Sequence, residues 1–230
     1  ATTVAIIATQ IATLQPTPPP PTPVVTVTPS PVPQPASCAM LKQQQPAAED
    51  GTHAIYLSGQ TAVSLYCYDM ANNPQEYLTL PSTANGGNFS LISYPEGAII
   101  TQYEKVRLDP NTRIIDPTDM TFAVLSGALA GYTTVPTDSL NNYAVTLSDF
   151  AVATGCNRGE EDALLGRANI DLTGTPFVID PDITFTTFGG ELAEVSSVVS
   201  EDGKTVNLAV NGRCGVIQPT HPILLELEQP

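Results

Sequence analysis

Four cysteines are the residues of this chain whose chemistry is easiest to predict. No two of them have the C-x-x-C spacing typical of zinc sites, so a zinc site is poorly supported. Their even number, beside a segment rich in proline and threonine, favours disulfide bonds formed in an oxidising compartment. We expect two disulfides, with all three pairings open at this point and four buried free thiols as the alternative. The cysteines are Cys38, Cys67, Cys156 and Cys214.

Catalytic motifs are lacking in the sequence. The two histidines, His53 and His221, lie far apart, and neither has a neighbouring acid or nucleophile in a recognisable motif. H-E-x-x-H, G-x-S-x-G and P-loop patterns do not occur. We expect both histidines to be exposed or satisfied by hydrogen bonds, and we expect the protein not to be an enzyme.

Acidic side chains cluster in three stretches that raise the question of calcium. Calcium binds carboxylates and loop carbonyl oxygens, but none of these stretches has the spacing of an EF-hand. Solvated loop charge is the simpler interpretation, with a calcium site as the alternative, and we predict no cofactor and no metal site. The residues are Asp109, Asp116 and Asp119; Glu160, Glu161 and Asp162; and Asp180 and Asp182.

Carbohydrate could be either a modification or a ligand of this chain. Asn88-Phe89-Ser90 is an N-glycosylation sequon, which predicts an exposed loop. Residues of a threonine-proline stalk often carry O-glycans, although an unmodified stalk is equally compatible with the composition. These candidates are Thr17, Thr22, Thr26, Thr28 and Ser30. A glycan-binding patch could be built by Tyr56, Tyr66, Tyr68 and Tyr77, but alternate aromatic residues in strands more often pack across the strands.

The composition excludes some partners. A formal net charge of −15 with only eight basic residues argues against nucleic acid and anionic membranes. Only 13% of the residues are charged and tryptophan is absent, which is typical of a β-rich extracellular protein. No apolar run reaches the roughly 18 residues of a membrane span. Because the chain starts at Ala1 without a basic leader, we expect a mature secreted chain.

Short strands separated by turns dominate the sequence after Cys38. The stretch "THAIYLSGQTAVSLYCYDM" alternates apolar and polar residues around Ser58-Gly59, which predicts a hairpin. Asp202-Gly203 is the clearest hairpin turn of the chain. "AMLKQQQPAA" predicts a brief helix stopped by Pro46, and "GEEDALLGRA" is a weaker helical candidate. The pattern predicts an all-β sandwich or barrel-like domain with few short helices.

The first part of the chain has a different texture, which divides the sequence into three segments. Residues 16–35 contain ten prolines, so polyproline II is expected, at about 3.1 Å per residue and hence roughly 60 Å in length. We predict an N-terminal extension strand over residues 1–15, a Pro/Thr-rich linker over 16–37 and a β domain over 38–230.

The extension strand "TTVAIIATQIATLQ" has no charge, no proline and no glycine. Such a segment aggregates when it is left in water, so it must be buried. It either folds back on its own domain or inserts beside a strand of a neighbouring subunit, and the stiff linker argues against a tight return. The side chains that would fill pockets are Val4, Ile6 and Leu14 on one face and Ile7 and Ile11 on the other.

Five stretches of the chain form one ordered pattern: "SCAMLKQQQPAAEDGTHAIYLSGQTAVSLYCYDMANNPQEYLTL", "NFSLIS", "YEKVRLDPNTRIIDPTDMTFA", "GRANIDLTGTPFVI" and "SEDGKTVNLAVNGRCG". Together they resemble the GON domain, a module of secreted metalloproteases with thrombospondin repeats that also occurs in microbial proteins. The resemblance covers about residues 37–216, in the same order. The family's further cysteines are missing, and no protease domain is present, so no proteolysis is carried over.

The resemblance implies a disulfide-bonded extracellular β module and no reaction. Within this pattern, the order of the cysteines suggests a Cys38–Cys67 bridge in the first hairpin region and a Cys156–Cys214 bridge across the last strands. Each bridge would stabilise the fold by roughly 3–4 kcal/mol.

The functional hypothesis combines the module with the extension. We expect a secreted structural subunit of an extracellular filament or surface appendage, which polymerises by donating its N-terminal strand to a neighbouring copy. The alternative is a monomeric adhesion or glycan-binding module on a proline-rich stalk.

Overall fold

The computed structural model describes residues 33–58, 61–81, 87–94, 97–129, 148–156 and 164–228. Among them the chain forms one helix and fourteen strands, so the expected all-β fold is confirmed. The elements are α1 Cys38–Gln44, β1 Gly51–Leu57, β2 Thr61–Tyr68, β3 Gln75–Thr79, β4 Asn88–Tyr94, β5 Gly97–Tyr103, β6 Lys105–Leu108, β7 Ile115–Asp116, β8 Ala123–Leu129, β9 Ala153–Gly155, β10 Gly166–Asp171, β11 Phe177–Ile179, β12 Phe185–Val199, β13 Thr205–Pro219 and β14 Leu225–Leu227.

The strands form two large sheets that share one hydrophobic core. The first sheet has the order β1-β2-β3-β6-β7, and the second has the order β10-β13-β9-β4-β5-β8 with β12 paired to β13. A third, two-stranded sheet joins β11 to β14. Ile55 and Leu65 from the first sheet and Ile170 and Val206 from the second belong to the same buried cluster.

The predicted first hairpin is confirmed, and its alternation sets the two faces of the first sheet. Leu57 pairs with Thr61 across the turn at Ser58. Ile55 and Leu57 are buried, while Ala54 and Tyr56, which alternate with them, point to the opposite face.

The predicted short helix is also confirmed as α1. Ser37 caps it, because its Oγ accepts a hydrogen bond from the Met40 N–H at 3.1 Å. Cys38 and Leu41 are its buried residues, and the helix ends before Pro46 as the sequence indicates. Just before the cap, the Pro35 carbonyl accepts a hydrogen bond from the Tyr56 N–H, which satisfies one group on the outer edge of β1.

One stretch that looks continuous in sequence divides between the two sheets. "GAIITQYEKVRLD" forms β5 of the second sheet and β6 of the first, with Glu104 between them. The burial pattern shows why: Tyr103 and Val106 are both buried, so the alternation shifts by one residue at Glu104. The chain crosses there from one layer to the other.

The longest hairpin joins β12 to β13 through the predicted turn at Asp202-Gly203. Gly203 has φ +67°, a conformation in which glycine is not strained, and Ser200 N–H bonds to the Thr205 carbonyl at 2.9 Å. β12 has irregular register between Phe188 and Gly190 and again between Gly190 and Glu194. The weaker helical candidate "GEEDALLGRA" is wrong where the structure describes it, because residues 166–168 belong to strand β10; residues 159–163 lie outside the described residues.

No helix in the described ranges is long and apolar enough to cross a membrane.

Candidate functional site

Exposed apolar side chains of the described residues are concentrated on β12. Along most of this strand both faces are open to solvent. Among the described residues β12 pairs only with β13, so it forms an edge of the second sheet. The exposed apolar side chains on it are Phe188, Leu192, Val195, Val198 and Val199. An apolar strand at a sheet edge is a template for pairing with another chain, which most proteins avoid.

The hydrogen-bond pattern of the hairpin shows which backbone groups of β12 face away from β13. Ser200 and Thr205 form a bonded pair at the turn. Bonded and non-bonded pairs alternate in an antiparallel ladder, so Val198 and Ser196 bond to β13 while Val195, Ser197 and Val199 do not. The N–H and C=O groups of Val195, Ser197 and Val199 therefore point out from the sheet edge.

A bulged region separates the two halves of β12. Gly189 has φ +116° and Glu191 φ +46°, and the register to β13 shifts on both sides of Gly190. A Cβ at position 189 would lie 2.5 Å from the Cys214 carbonyl oxygen, so only glycine fits there. Residues 194–199 are the regular part of the edge.

A second exposed feature is the outer face of the first sheet, which we call the aromatic face: Tyr66, Tyr68, Tyr77, Lys105 and Phe122. The Phe122 ring lies edge-on to the three tyrosines, with ring centroids 4.8 Å from Tyr77, 5.3 Å from Tyr68 and 5.6 Å from Tyr66. Lys105 Nζ lies 4.5 Å from the Phe122 centroid and 4.8 Å from that of Tyr66. Tyr68 is the most exposed of these rings.

Hydrogen bonds fix the buried tyrosine of the aromatic face. The Tyr77 hydroxyl donates to Asp119 Oδ2 at 2.9 Å, and Arg107 Nη1 lies 3.7 Å from the same oxygen. Burial raises the pKa of Tyr77. Burial also opposes ionisation of Asp119, but hydrogen bonds from Thr121 and Tyr77 outweigh it and lower the Asp119 pKa. The hydroxyl therefore stays protonated and donates to a charged carboxylate.

The predicted tyrosine patch is thus partly assembled. Tyr66, Tyr68 and Tyr77 pack together, whereas Tyr56 lies on the same side of the sheet but opposite Ala62 in the register. The sequence reasoning missed Phe122 and Lys105. Phe122 comes from the turn before β8, and nothing local to it indicates that its ring packs on strands β2 and β3.

A cleft of about 810 Å³ lies between α1 and the segment that joins β6 to β7. Its carboxylates have partners: Glu76 accepts a hydrogen bond from the Cys38 N–H at 2.6 Å, and Asp109 from the Asn111 N–H at 2.8 Å. Burial raises the pKa of Glu76. Asp116, which also lines the cleft, accepts a hydrogen bond from the Thr118 N–H at 3.1 Å, so each carboxylate of the cleft has a partner within the protein.

Both disulfides that the resemblance suggested are present in the structure. Cys38 bonds to Cys67, with Cα atoms 5.6 Å apart, and ties α1 to β2. Cys156 bonds to Cys214 and ties the end of β9 to β13, opposite the bulged region of β12.

The expectation of an exposed glycosylation loop at Asn88 is wrong. Asn88 is the first residue of β4 and is 2% exposed. Its side-chain amide donates to the Asp171 carbonyl at 3.0 Å and its oxygen accepts from the Asp171 N–H at 2.7 Å. The folded domain leaves no room for a glycan on this nitrogen, because the side chain joins β4 to β10 instead.

The histidines lie in separate surroundings. His53 Nε2 is 2.9 Å from the Glu49 carbonyl oxygen, and His221 is exposed at the rim of a pocket of about 290 Å³ that Asp149 also lines. In the parts of the chain that the structure describes, no three histidine, cysteine or acidic side chains come together as a metal site. Asp116 instead accepts hydrogen bonds from Thr118, and Asp180 from the Asp182 N–H.

Several predicted residues lie outside the described residues. They are Val4, Ile6, Ile7, Ile11 and Leu14 of the extension strand, Thr17, Thr22, Thr26, Thr28 and Ser30 of the linker, and Glu160, Glu161 and Asp162. Their roles stay predictions.

Comparison with known proteins agrees with the resemblance. No curated protein and no solved structure matches the chain. The family model of the GON domain matches residues 35–96 and 91–229, which is most of the chain. That family is a non-catalytic extracellular module, and two disulfides fit an extracellular protein. The chain belongs to the GON domain family.

Proposed function

We propose that this chain is a structural subunit of an extracellular filament or surface appendage, which polymerises by donating residues 1–15 to a neighbouring copy. The observation that carries the proposal is the apolar edge strand β12. A strand added to such an edge satisfies its free backbone groups and covers its side chains. The domain thus has an open strand edge that a further strand can cover, and residues 1–15 form an apolar segment that must be buried.

The composition of the N-terminal segment fits this role. Residues 1–15 contain no charged side chain and no proline, so they can pair along their whole length. The linker of roughly 60 Å is long enough to reach a second copy. Burying Val4, Ile6, Ile7, Ile11 and Leu14 would contribute on the order of 7–15 kcal/mol as an upper bound, before the entropy of ordering is subtracted.

Donation from one copy to the next is a head-to-tail contact. Unless its rotation closes a ring, such a contact grows into a filament. Each copy in the filament donates its own strand to one neighbour and receives the strand of the other neighbour at its edge. The assembly therefore needs no second type of subunit.

Negative-stain electron microscopy of the full chain and of a variant lacking residues 1–15 tests the proposal. Filaments formed by the full chain and lost on deletion are the expected result. Single particles in both samples would contradict it.

The aromatic face favours a second candidate, a monomeric adhesion or glycan-binding module. Tyr68 presents an exposed ring with Gln75 opposite it in the register, and its ring packs against Phe122, over which Lys105 Nζ lies. A glycan array probed with full-length protein and with Tyr68→Ala checks this candidate. Glycan binding that depends on Tyr68, by a protein that stays monomeric, would favour it over the filament.

A further inference from the structure

We infer that residues 194–199 of β12, the acceptor stretch, receive the donated N-terminal strand of a second copy. This inference rests on the proposed function and deepens it by naming the surface that the donated strand occupies. The occupant is residues 1–15 of the neighbouring chain.

The backbone of the acceptor stretch is suited to a regular ladder. Val195, Ser197 and Val199 direct their N–H and C=O groups away from β13. They therefore offer three donors and three acceptors at the two-residue spacing that an added strand requires. None of these three residues has a backbone partner at this edge among the described residues.

The side chains of the acceptor stretch are exposed on both sides of the sheet. Val195 and Val199, on the face that carries the core, are 46% and 37% exposed. Val198, on the opposite face, is 56% exposed. An incoming strand covers both faces at once, so it needs apolar side chains on both of its own. Residues 1–15 meet that requirement, with Val4, Ile6 and Leu14 on one face and Ile7 and Ile11 on the other.

The remainder of β12 is a poorer acceptor. The bulged region around Gly189 and Glu191 breaks the ladder. Beyond it, residues 185–188 give only four positions, and Phe185, Thr186 and Thr187 are already half-buried.

Charge favours a donated strand over direct pairing of two β12 edges. Direct pairing would bring two domains of a strongly acidic protein, −15 per chain, into lateral contact. Residues 1–15 bring no charged side chain, and their linker lets the two domains stay apart. Within the acceptor stretch, the residues from Val195 to Val199 are likewise uncharged, and Glu194 at its first position carries its one charge.

Two full-length substitutions block the acceptor stretch in different ways. Val195→Lys places a charge on the edge, a common natural protection against strand addition. Ser197→Pro removes one outward N–H and no bond to β13, so the hairpin is kept. The matched control is Phe188→Lys, which puts the same charge at an equally exposed apolar position, 47% against 46%, outside the acceptor stretch.

Assembly is measured by analytical ultracentrifugation and electron microscopy, and folding by circular dichroism. We expect Val195→Lys and Ser197→Pro to stay monomeric, and Phe188→Lys to polymerise like the parent. A fourth full-length variant, Ile7→Lys, blocks the donor and stays monomeric alone. Mixed with Val195→Lys it forms a one-to-one dimer, because each partner supplies what the other lacks.

The possible failures are distinguishable. If Ile7→Lys abolishes polymers while Val195→Lys and Ser197→Pro keep them, strand donation stands and the acceptor lies elsewhere. If Ile7→Lys polymerises but Val195→Lys does not, the edges pair directly and the inference is wrong. A parent chain that never assembles removes the proposed function itself. If one acceptor variant does not fold, the other decides.

Discussion

Lys204 joins the β12–β13 turn to the last strand, β14. Its replacement should lower the free energy of unfolding by an amount that follows from its hydrogen bonds. The residue is 8% exposed. Its Nζ donates to the carbonyl oxygens of Thr175 at 2.9 Å and Phe177 at 3.0 Å, and to Glu228 Oε2 at 2.8 Å. One buried ammonium thus joins the two strands of the third sheet, because it binds the Phe177 carbonyl of β11 and Glu228 just after β14.

The cost of Lys204→Met follows from these three bonds. Methionine fills a similar volume but leaves two carbonyl groups without a donor, at about 1–2 kcal/mol each. The ion pair adds little, since the Glu228 side chain is 58% exposed and surface pairs are worth about 0–1 kcal/mol. We expect a loss of about 2–4 kcal/mol, or a fall in melting temperature of roughly 4–16 °C for a domain of this size.

Urea unfolding of the oxidised protein, followed by circular dichroism, measures the loss. Glu228→Gln is the matched control and should cost less than about 1 kcal/mol, because it removes the exposed partner and keeps both carbonyl bonds. If Lys204→Met unfolds within about 1 kcal/mol of the parent, the carbonyl bonds do not hold the turn. Equal losses in both variants would mean that the ion pair carries the effect instead.

Three further substitutions test other parts of the structure. Asn88→Ala should lower the unfolding free energy by about 2–4 kcal/mol, because the Asp171 N–H and C=O lose their partners. Peptide mass spectrometry of the parent should find Asn88 unmodified, and a glycopeptide there would contradict the buried side chain. Gly189→Ala should lower the unfolding free energy by about 1–3 kcal/mol, because its Cβ would collide with the Cys214 carbonyl at a residue with positive φ. In the control Gly190→Ala the new Cβ meets nothing closer than 3.6 Å, so its stability should be nearly unchanged. Equal melting temperatures of the two variants would refute this reasoning. Burial raises the Glu76 pKa in the folded protein, so the parent loses stability as pH rises through that raised pKa. Glu76→Gln should therefore have a higher melting temperature than the parent at pH 7, and the two melting temperatures should converge below about pH 4. A difference in melting temperature that is constant with pH would exclude ionisation of Glu76 as its cause.

An open apolar edge has consequences for how the protein is handled. Natural sheets usually protect their edges with charges, prolines or bulges. β12 has such protection only in part: Glu191 pairs with Arg213 at 3.6 Å in the bulged region, while the stretch from Val195 to Val199 carries no charge. A strand donated in the assembled state would protect this edge permanently, so unassembled subunits should be the aggregation-prone form.

The cysteines show how far the family pattern reaches. Cys38 and Cys67 bring α1 against β2, and Cys156 and Cys214 brace β13 opposite the bulged region of β12. Both bridges belong to the GON-like pattern, so a covalent framework was predictable before any strand order was known. By the loop-closure model they stabilise the domain by about 3–4 kcal/mol each.

The sequence by itself determined the local elements of this domain. Alternation predicted the β1–β2 hairpin, Asp202-Gly203 predicted the β12–β13 turn, and Pro46 predicted the end of α1. Each of these depends on residues a few positions apart, so turn chemistry and side-chain period suffice. The family pattern added the extracellular class and the disulfide framework.

Only the tertiary structure decided which faces are covered. Asn88 looks like an exposed sequon until β10 packs beside β4, and Lys204 looks like a surface lysine until β11 and β14 enclose it. The packing of Phe122 on the tyrosines and the exposure of β12 likewise depend on which segments of the chain meet in the fold. Side-chain period fixes which residues share a face of a strand, whereas burial of that face depends on contacts between segments distant in sequence, which local pattern does not encode.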